Sequence, residues 1–174
     1  MLKRLFIIIF LFLLYFNPSI SNDLKIVYVD IDKVLLQSNA GKAITKQLEN
    51  LNKNNIKKFK EQEKKITSNE NDILKKKNVL SEEEFKKKVN NLQIDIKNFK
   101  ENINSSRVDL DKKRLEATAK ILDILNPILS DYSSKNSISL IIQKKNIVIG
   151  KTELDITSQI LKILNTKIKT VKLN

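Results

Sequence analysis

The sequence is rich in carboxylates but lacks the side chains that most often carry out nucleophilic or acid–base chemistry at neutral pH. It has 20 Asp and Glu residues, no His and no Cys. Thiolate nucleophiles, Cys/His zinc sites and Ser-His-Asp triads are therefore excluded. Asp30 and Asp32, in "VDID", follow a short apolar run, where a carboxylate commonly caps a helix. No carboxylate lies in an apolar stretch that would tune its pKa, so we predict no enzyme, no metal site and no cofactor.

The chain carries a large positive charge that is spread over most of its length. Lys and Arg number 33, which gives a formal net charge of +13. Such a charge suggests a polyanion partner, although the wealth of Lys, Asn and Ile also fits an AT-rich genome. A nucleic-acid surface needs aromatic rings that stack on bases, and aromatic residues make up only 6%. We predict no nucleic-acid partner and keep an anionic membrane surface as a candidate.

The first 21 residues have the three parts of a secretory signal peptide. A basic start, "MLKR", precedes an apolar run of twelve residues, Leu5 to Phe16, and "NPSIS" ends in small residues at Ser19 and Ser21. Twelve helical residues span about 18 Å against a membrane core of about 30 Å, which argues against a membrane anchor, the alternative interpretation. We predict cleavage between Ser21 and Asn22 and an exported mature chain.

The start of the mature chain has the pattern of a strand followed by a helix. The run "LKIVYV", at 24–29, is β-branched and aromatic and predicts a strand. Asp30 or Asp32 can then cap a short helical turn. The stretch "SNAGKA" predicts a break, with Gly41 as the residue expected to adopt the left-handed conformation.

The end of the chain shows a second change of composition. The run "SISLIIQKKNIVIG" predicts two strands, at about 138–142 and 147–149, joined by a polar turn. The following "LDITSQILKILNTKI" predicts a terminal helix with Asp155 or Thr157 as its N-cap. Both chain ends therefore contribute to a small β-containing body.

The middle of the chain is predicted to be helical, since no Gly or Pro interrupts residues 42–126. A thin stripe of apolar residues marks a first helix: Ile44, Leu48, Leu51, Ile56, Phe59, Ile66 and Ile73. A cleaner 4-3-4-3-4 spacing marks a second helix: Phe85, Val89, Leu92, Ile96, Phe99 and Ile103. The second seam passes a stutter near Leu110–Ile121 and widens where the helix enters a core, with Pro127 expected to kink this helix rather than end it.

The strands at the two chain ends need backbone partners, and this requirement places a chain reversal between them. One unbroken helix over 42–126 would hold the ends about 125 Å apart. At the midpoint, Ser81 and Glu84 have capping-box spacing, and Leu80 and Phe85 have the spacing of a hydrophobic staple. The acidic residues after Ser81 suit a helix N-terminus, and "KKK" before it suits a C-terminus. We therefore predict a turn here; the alternative is one continuous helix.

These elements predict an α+β chain that is mostly α. We expect a signal peptide at 1–21, a first body segment at 22–43, a helical-hairpin arm at 44–120 with its tip near 78–82, and a second body segment at 121–174. The arm is a long antiparallel coiled coil of about 50 Å. Because the body is small and the apolar stripe of the arm is thin, we expect the chain to self-associate.

Several stretches of the sequence resemble the Skp/OmpH family of periplasmic chaperones. In "KIVYVDIDKVLLQSNAGKA" a strand ending in Val-Asp is followed by Lys-Val, a Ser, and Gly-Lys that opens the first arm helix. The matching residues are Val29, Asp30, Lys33, Val34, Ser38, Gly41 and Lys42. "LSEEEFKKKVNNLQ" is similar to the arm-tip segment of the family, and "NPILSDYSSKNSISLIIQKKNIVIGKTELDITSQILKILN" to its C-terminal body. The resemblance covers essentially all of residues 22–165.

The resemblance implies a homotrimer, shaped like a jellyfish, with a β-containing body and three helical-hairpin arms around a cavity. It also implies ATP-independent holding of unfolded outer-membrane β-barrel proteins in the periplasm. The resemblance makes a lipopolysaccharide surface a further candidate partner. From the residues themselves, Phe59, Ile66, Phe85 and Phe99 are isolated apolar side chains among lysines. They are candidates for client contact, although heptad residues ordinarily pack the two helices of an arm. A structural coiled-coil spacer or adaptor of the cell envelope is the alternative function.

Overall fold

The computed structural model describes residues 24–173. Its elements, in chain order, are strand β1 (Ile26–Val29), helix α1 (Ile31–Gln37), helix α2 (Asn39–Lys75), helix α3 (Glu82–Lys135), strand β2 (Leu140–Gln143) and helix α4 (Thr157–Lys167). The paired, outer parts of α2 and α3 are called the arm, and the rest is called the body. The predicted α+β fold, mostly helical with a small sheet, is confirmed.

The N-terminal segment lies outside the described residues. The predicted signal peptide at 1–21, with cleavage between Ser21 and Asn22, therefore stays a prediction. Within residues 24–173, no helix combines the length and apolarity that a membrane span requires.

The two strands form a parallel pair, in which Ile26 lies opposite Leu140 and Val29 lies opposite Gln143. Parallel neighbours need a long crossover connection, because a tight turn can join only antiparallel strands. Here the connection is the whole pair of long helices. The chain therefore leaves the sheet along α2 and returns to it along α3, as the sequence requires.

The prediction of a second C-terminal strand at 147–149 is wrong, and the sheet of the described residues has two strands. After β2 the chain turns through a 3-10 helix at Lys144–Asn146 and crosses to the far side of β1. There the Tyr28 hydroxyl donates to the carbonyl of Lys151 at 3.1 Å, and an isolated bridge joins Tyr28 to Asp155. Because the segment passes across the sheet rather than along an edge, its β-branched residues find no strand partner in the single chain.

A single residue, Ser38, separates α1 from α2. The predicted cap of α1 by Asp30 is present, since its carboxylate accepts from the Lys33 amide at 2.9 Å. The hydroxyl of Ser38 accepts from the Gly41 amide at 3.0 Å and donates to the Leu35 carbonyl at 3.2 Å. The prediction of a left-handed Gly41 is wrong, because this residue belongs to the first turn of α2 and has no positive φ. A Cβ atom at Gly41 would lie 1.7 Å from the Leu35 carbonyl oxygen, so a close approach requires the glycine.

The two long helices pack along a thin seam. Phe59 and Phe99 contact each other edge to face, with ring centroids 6.2 Å apart. One polar layer interrupts the seam, where the Asn55 amide donates to the Ser106 hydroxyl at 2.6 Å. The prediction that Ile56 belongs to the stripe is wrong: Ile56 is exposed, and Asn55 takes the seam position. Asn55 lies four residues from the seam residues on either side and therefore shares their face of the helix.

The apolar core lies where the bases of α2 and α3 meet the sheet, α1 and α4. Its largest fully buried apolar side chains are Val29, Val34, Ile121, Leu125, Ile160 and Leu164. As predicted, α3 continues through Pro127 and ends at Lys135. The wide apolar face near the end of α3 is thus the part of this helix that fills the body.

The C-terminal tail packs against the base of α2. Val171 is buried, and its carbonyl accepts from the side-chain amide of Gln47 at 2.7 Å. The side-chain oxygen of Gln47, Oε1, accepts from the Leu173 backbone N–H at 3.2 Å. The sequence "KTVKLN" carries no periodic pattern, and its docking was therefore not predicted.

Neither predicted cap of the terminal helix is right, because its N-cap is Ile156, which has no capping side chain. Asp155, one residue earlier, accepts from the Thr157 amide at 2.9 Å, from the Thr157 hydroxyl, and from Lys144 Nζ at 3.0 Å. The Thr157 hydroxyl oxygen in turn accepts from the Asp30 amide at 2.9 Å. This network joins the first strand to the last helix.

Acid should weaken this network through Asp155. Partial burial raises the pKa of Asp155, but the hydrogen bonds from Thr157 and Lys144 together lower it by more. The pKa of Asp155 therefore lies below its ordinary value of 3.8. A depressed pKa in the folded state stabilises the fold above the unfolded pKa, and this contribution is lost as the pH falls through the folded value. We expect Asp155→Asn to lower the free energy of unfolding by about 1–3 kcal/mol at neutral pH, and by less as the pH falls below about 4.

Urea unfolding of the wild type and of Asp155→Asn at pH 7 and pH 3 measures this effect. Asp131→Asn is the matched control, since Asp131 is an exposed residue of α3. The control should stay within about 0.5 kcal/mol of the wild type at both pH values. A deficit for Asp155→Asn that is equally large at pH 3 and pH 7 would contradict the role given to the carboxylate.

Candidate functional site

The four residues predicted to contact clients or to pack the arm all lie half-buried on the seam. Phe59 and Phe99 contact each other, as described above. Ile66 and Phe99 line a cleft of about 320 Å³ between the two helices. Phe85 lies nearer the tip, in the first turn of α3. Each of the four therefore keeps part of its surface accessible while the rest packs within the hairpin.

The arm reverses its direction at Lys76–Ser81, and Ser81 caps the start of α3. The Ser81 hydroxyl accepts from the Glu84 amide at 3.3 Å, while the Glu84 carboxylate accepts from the Ser81 amide at 3.1 Å and from the Ser81 hydroxyl at 2.8 Å. This reciprocal pair is a capping box. The hydrogen bond from the Ser81 side chain, with the one from its backbone, holds the pKa of Glu84 below its ordinary value. Leu80 and Phe85, on either side of the cap, are half-buried.

Replacing Ser81 with Ala should loosen the tip without unfolding the body. Loss of an N-cap hydroxyl costs about 1 kcal/mol of local helix stability, because the Glu84 amide in the first turn loses its acceptor. We expect the amides of residues 82–85 to exchange with solvent several-fold faster in hydrogen-exchange measurements. Ser68→Ala, at an exposed position inside α2, is the control and should leave these amides unchanged. The same exchange rate at residues 82–85 in both variants would contradict the capping role.

A second set of apolar side chains lies on the arm away from the seam. Ile94, Val108 and Leu115 of α3 are 55%, 59% and 71% exposed. Their spacing of 14 and 7 residues places them on one face of the helix, and we call them the outer row. Val79, at the tip, is likewise exposed. The sequence interpretation missed the outer row, although heptad spacing outside the seam was the signal that could have found it.

The surface around the outer row carries both basic and acidic side chains, which are only weakly paired. Ion pairs on α3 join side chains one helical turn apart, such as Lys97 with Glu101 and Lys112 with Glu116, both at 3.9 Å. Exposed pairs of this kind contribute about 0.3–0.5 kcal/mol, so the charges remain available to a partner. The arm therefore presents isolated apolar side chains flanked by flexible cations.

Residues 24–173 contain no group of three acidic side chains placed to hold a metal ion. Asp155, the acidic residue with the most hydrogen bonds, is held in the network that joins the two chain ends.

A third apolar surface lies on the body. Val148 and Ile149 are 98% and 91% exposed, and the paired strand residues Ile26 and Leu140 are 42% and 50% exposed. Val148 and Ile149 are called the body patch. Within residues 24–173, β2 has a strand neighbour on one side only. Exposed neighbouring apolar side chains and an open strand edge are both features that proteins ordinarily cover.

Comparisons with known proteins agree with this architecture. The structure resembles the crystal structure of a protein from Caulobacter crescentus CB15 that is described as an OmpH-like outer membrane chaperone, with a TM-score of 0.81 and 14% sequence identity. The match covers 92% of this chain and 95% of that chain, and it shows a shared fold. No curated protein sequence matches the chain. A family model described as "Outer membrane protein (OmpH-like)" matches residues 25–164, from β1 into α4. The chain therefore belongs to the OmpH-like family.

Proposed function

We propose that the chain is an ATP-independent periplasmic holdase chaperone, which binds unfolded outer-membrane proteins and prevents their aggregation on the way to the outer membrane. Membership of the OmpH-like family supports a chaperone role in general. The observation that carries the proposal is the arm, a long hairpin whose accessible apolar side chains are isolated among lysines. Such a surface fits a partner that is extended, partly apolar and not of one fixed shape.

Binding in this proposal uses many weak contacts instead of one deep pocket. Complete burial of one apolar side chain contributes about 1.5–3 kcal/mol, so the outer row, the tip and the accessible parts of the seam must act together. Contacts of this size form and break quickly, which lets a client leave without the hydrolysis of ATP. The flanking lysines raise the rate at which acidic client segments arrive.

The proposed working form is a homotrimer whose three arms surround one client. The body patch supports self-association, because each chain leaves Val148 and Ile149 almost fully exposed. In a closed ring the same pair of surfaces meets at every interface, so a single type of contact covers the patch in all three copies. The proposed signal peptide, cleaved between Ser21 and Asn22, would deliver each chain to the periplasm.

Dilution of an unfolded outer-membrane β-barrel protein out of urea tests the holdase function. With one trimer of the mature chain per client and no ATP, we expect light scattering from aggregates to be suppressed. The triple variant Ile94→Ser, Val108→Ser, Leu115→Ser should protect several-fold less, since it removes the outer row. The control variant Asn90→Ser, Asn98→Ser, Asn104→Ser should protect like the wild type. A spacer or adaptor of the envelope, the alternative function, would give no protection.

The same assay tests the contribution of charge. We expect the dissociation constant of the client complex to rise several-fold between about 50 mM and about 500 mM salt, because exposed charges are screened over about 4–14 Å in this range. Equal affinity at both salt concentrations would show that the lysines do not attract the client.

A further inference from the structure

A cleft at the base of the arm contains both arginines that the structure describes. Of the 33 basic residues in the chain only three are Arg, and the third, Arg4, precedes the described residues. Arg107 and Arg114 lie seven residues apart on α3, which places them on one face of the helix. Both line a cleft of about 470 Å³ between α2 and α3. Because nearly all other basic residues of the chain are lysines, two arginines in one cleft mark it as a candidate binding site.

The walls of the cleft combine apolar and hydrogen-bonding groups. Leu48, which is buried, and Leu110, which is half-buried, provide apolar surface. Across from the arginines, α2 contributes Thr45 and Asn52. The side-chain amide of Asn52 makes no hydrogen bond with any of residues 24–173, so it can bind the backbone of a guest.

The guanidinium groups of the cleft are available to a ligand. Arg107 forms no ion pair or hydrogen bond with any residue of the described chain. Arg114 reaches Asp111 at 3.5 Å, and both of these side chains are more than 60% exposed. An exposed pair at this distance contributes little and is easily replaced. A planar guanidinium binds a carboxylate through two parallel hydrogen bonds, which the ammonium group of lysine cannot do.

The mixed charge of the lining indicates which ligand fits. Glu49 and Asp111 also line the cleft, so its four charged side chains sum to zero. A phosphate headgroup with several negative charges would be repelled by the two carboxylates, whereas a polypeptide brings one carboxylate on a neutral backbone. We propose that this cleft binds an Asp or Glu side chain of an extended client, with a neighbouring apolar side chain packed on Leu48 and Leu110. The inference rests on the proposed function and adds to it an anchoring point at the base of the arm.

Two fluorescein-labelled ten-residue peptides test this anchor in the mature chain by fluorescence anisotropy. One contains two Glu residues among Leu and Ser, and the other has Gln in their places. We expect the double variant Arg107→Gln, Arg114→Gln to raise the dissociation constant for the Glu peptide about tenfold. The dissociation constant for the Gln peptide should stay within about twofold of the wild-type value. Arg107→Lys, Arg114→Lys keeps the charge and should give an intermediate loss of about threefold. The control Lys97→Gln, Lys112→Gln removes the same charge elsewhere on α3. It should change the dissociation constants of both peptides by less than about twofold.

Two outcomes would overturn the proposal. If the arginine-to-glutamine variant weakens both peptides equally, or no more than the lysine control does, the cleft does not bind carboxylates. If that variant binds the Glu peptide normally but loses binding to vesicles of anionic phospholipid, the cleft binds lipid headgroups and the peptide assignment is wrong. Circular dichroism shows in each case that the variants fold. Since the light-scattering assay tests holding separately, the anchor can fail while the holdase function stands.

Discussion

Replacing Gly41 with Ala should lower the free energy of unfolding by about 3 kcal/mol and the Tm by about 6–12 °C. The Cβ of the alanine would lie 1.7 Å from the Leu35 carbonyl oxygen, which is a backbone atom of α1 and cannot rotate away. Alanine favours a helix by about 1 kcal/mol over glycine, but the overlap outweighs this gain. Relief of the overlap requires α1 and α2 to separate around Ser38, whose side chain is fully buried and hydrogen-bonded to both.

Thermal unfolding followed by circular dichroism measures this effect. Lys42→Ala, at the next residue of α2, is the control, because Lys42 is exposed and should change the free energy of unfolding by less than about 0.5 kcal/mol. A Tm for Gly41→Ala equal to that of the control would refute the close contact between the two helices. Since α2 is also the first helix of the arm, this contact sets the direction in which the arm leaves the body.

The second large effect is expected at the body patch, where Val148→Asp with Ile149→Asp should separate the proposed trimer into single chains. Two apolar side chains that become buried between copies contribute about 4 kcal/mol at each interface, so the dissociation constant should rise about a thousandfold. In the single chain these side chains are 98% and 91% exposed. The substitutions should therefore leave the helical content of each chain unchanged.

Sedimentation at micromolar concentration distinguishes the outcomes. Asn146→Asp is the matched control, since it adds a negative charge at an exposed position of the same segment. We expect the control to sediment like the wild type and the double variant to sediment as one chain. A double variant with the same mass as the wild type would place the contact between copies elsewhere. A variant that is monomeric and still protects an unfolded client would show that a single arm is sufficient.

The features that the sequence predicts well are those decided by nearby residues. The turn of the arm follows from Ser81 and Glu84, which are three positions apart. Their side chains hydrogen-bond to each other's backbone amides whatever surrounds them. The mostly helical α+β fold follows from long runs without Gly or Pro and from strand-like runs near both chain ends. The cap by Asp30 is likewise decided locally, because its carboxylate accepts from the amide of Lys33, three residues later.

The features that the sequence does not predict depend on groups far apart in the chain. Gly41 was expected in a turn because glycine is common there. It is required instead because a Cβ atom would overlap the Leu35 carbonyl oxygen of the preceding helix. The segment at 147–149 has the composition of a strand, but the path of the chain across β1 denies it a partner. The docking of Val171 on Gln47 likewise joins positions 124 residues apart. Residue periodicity contains no information about such pairings.

The proposed function requires three copies of this chain to hold one unfolded client together. Native mass spectrometry of the mature chain, mixed with an unfolded outer-membrane β-barrel protein and without ATP, tests it directly. We expect a mass of three chains alone and of three chains plus one client in the mixture. Single chains in both samples, or a trimer that never gains the mass of a client, would contradict the proposed function.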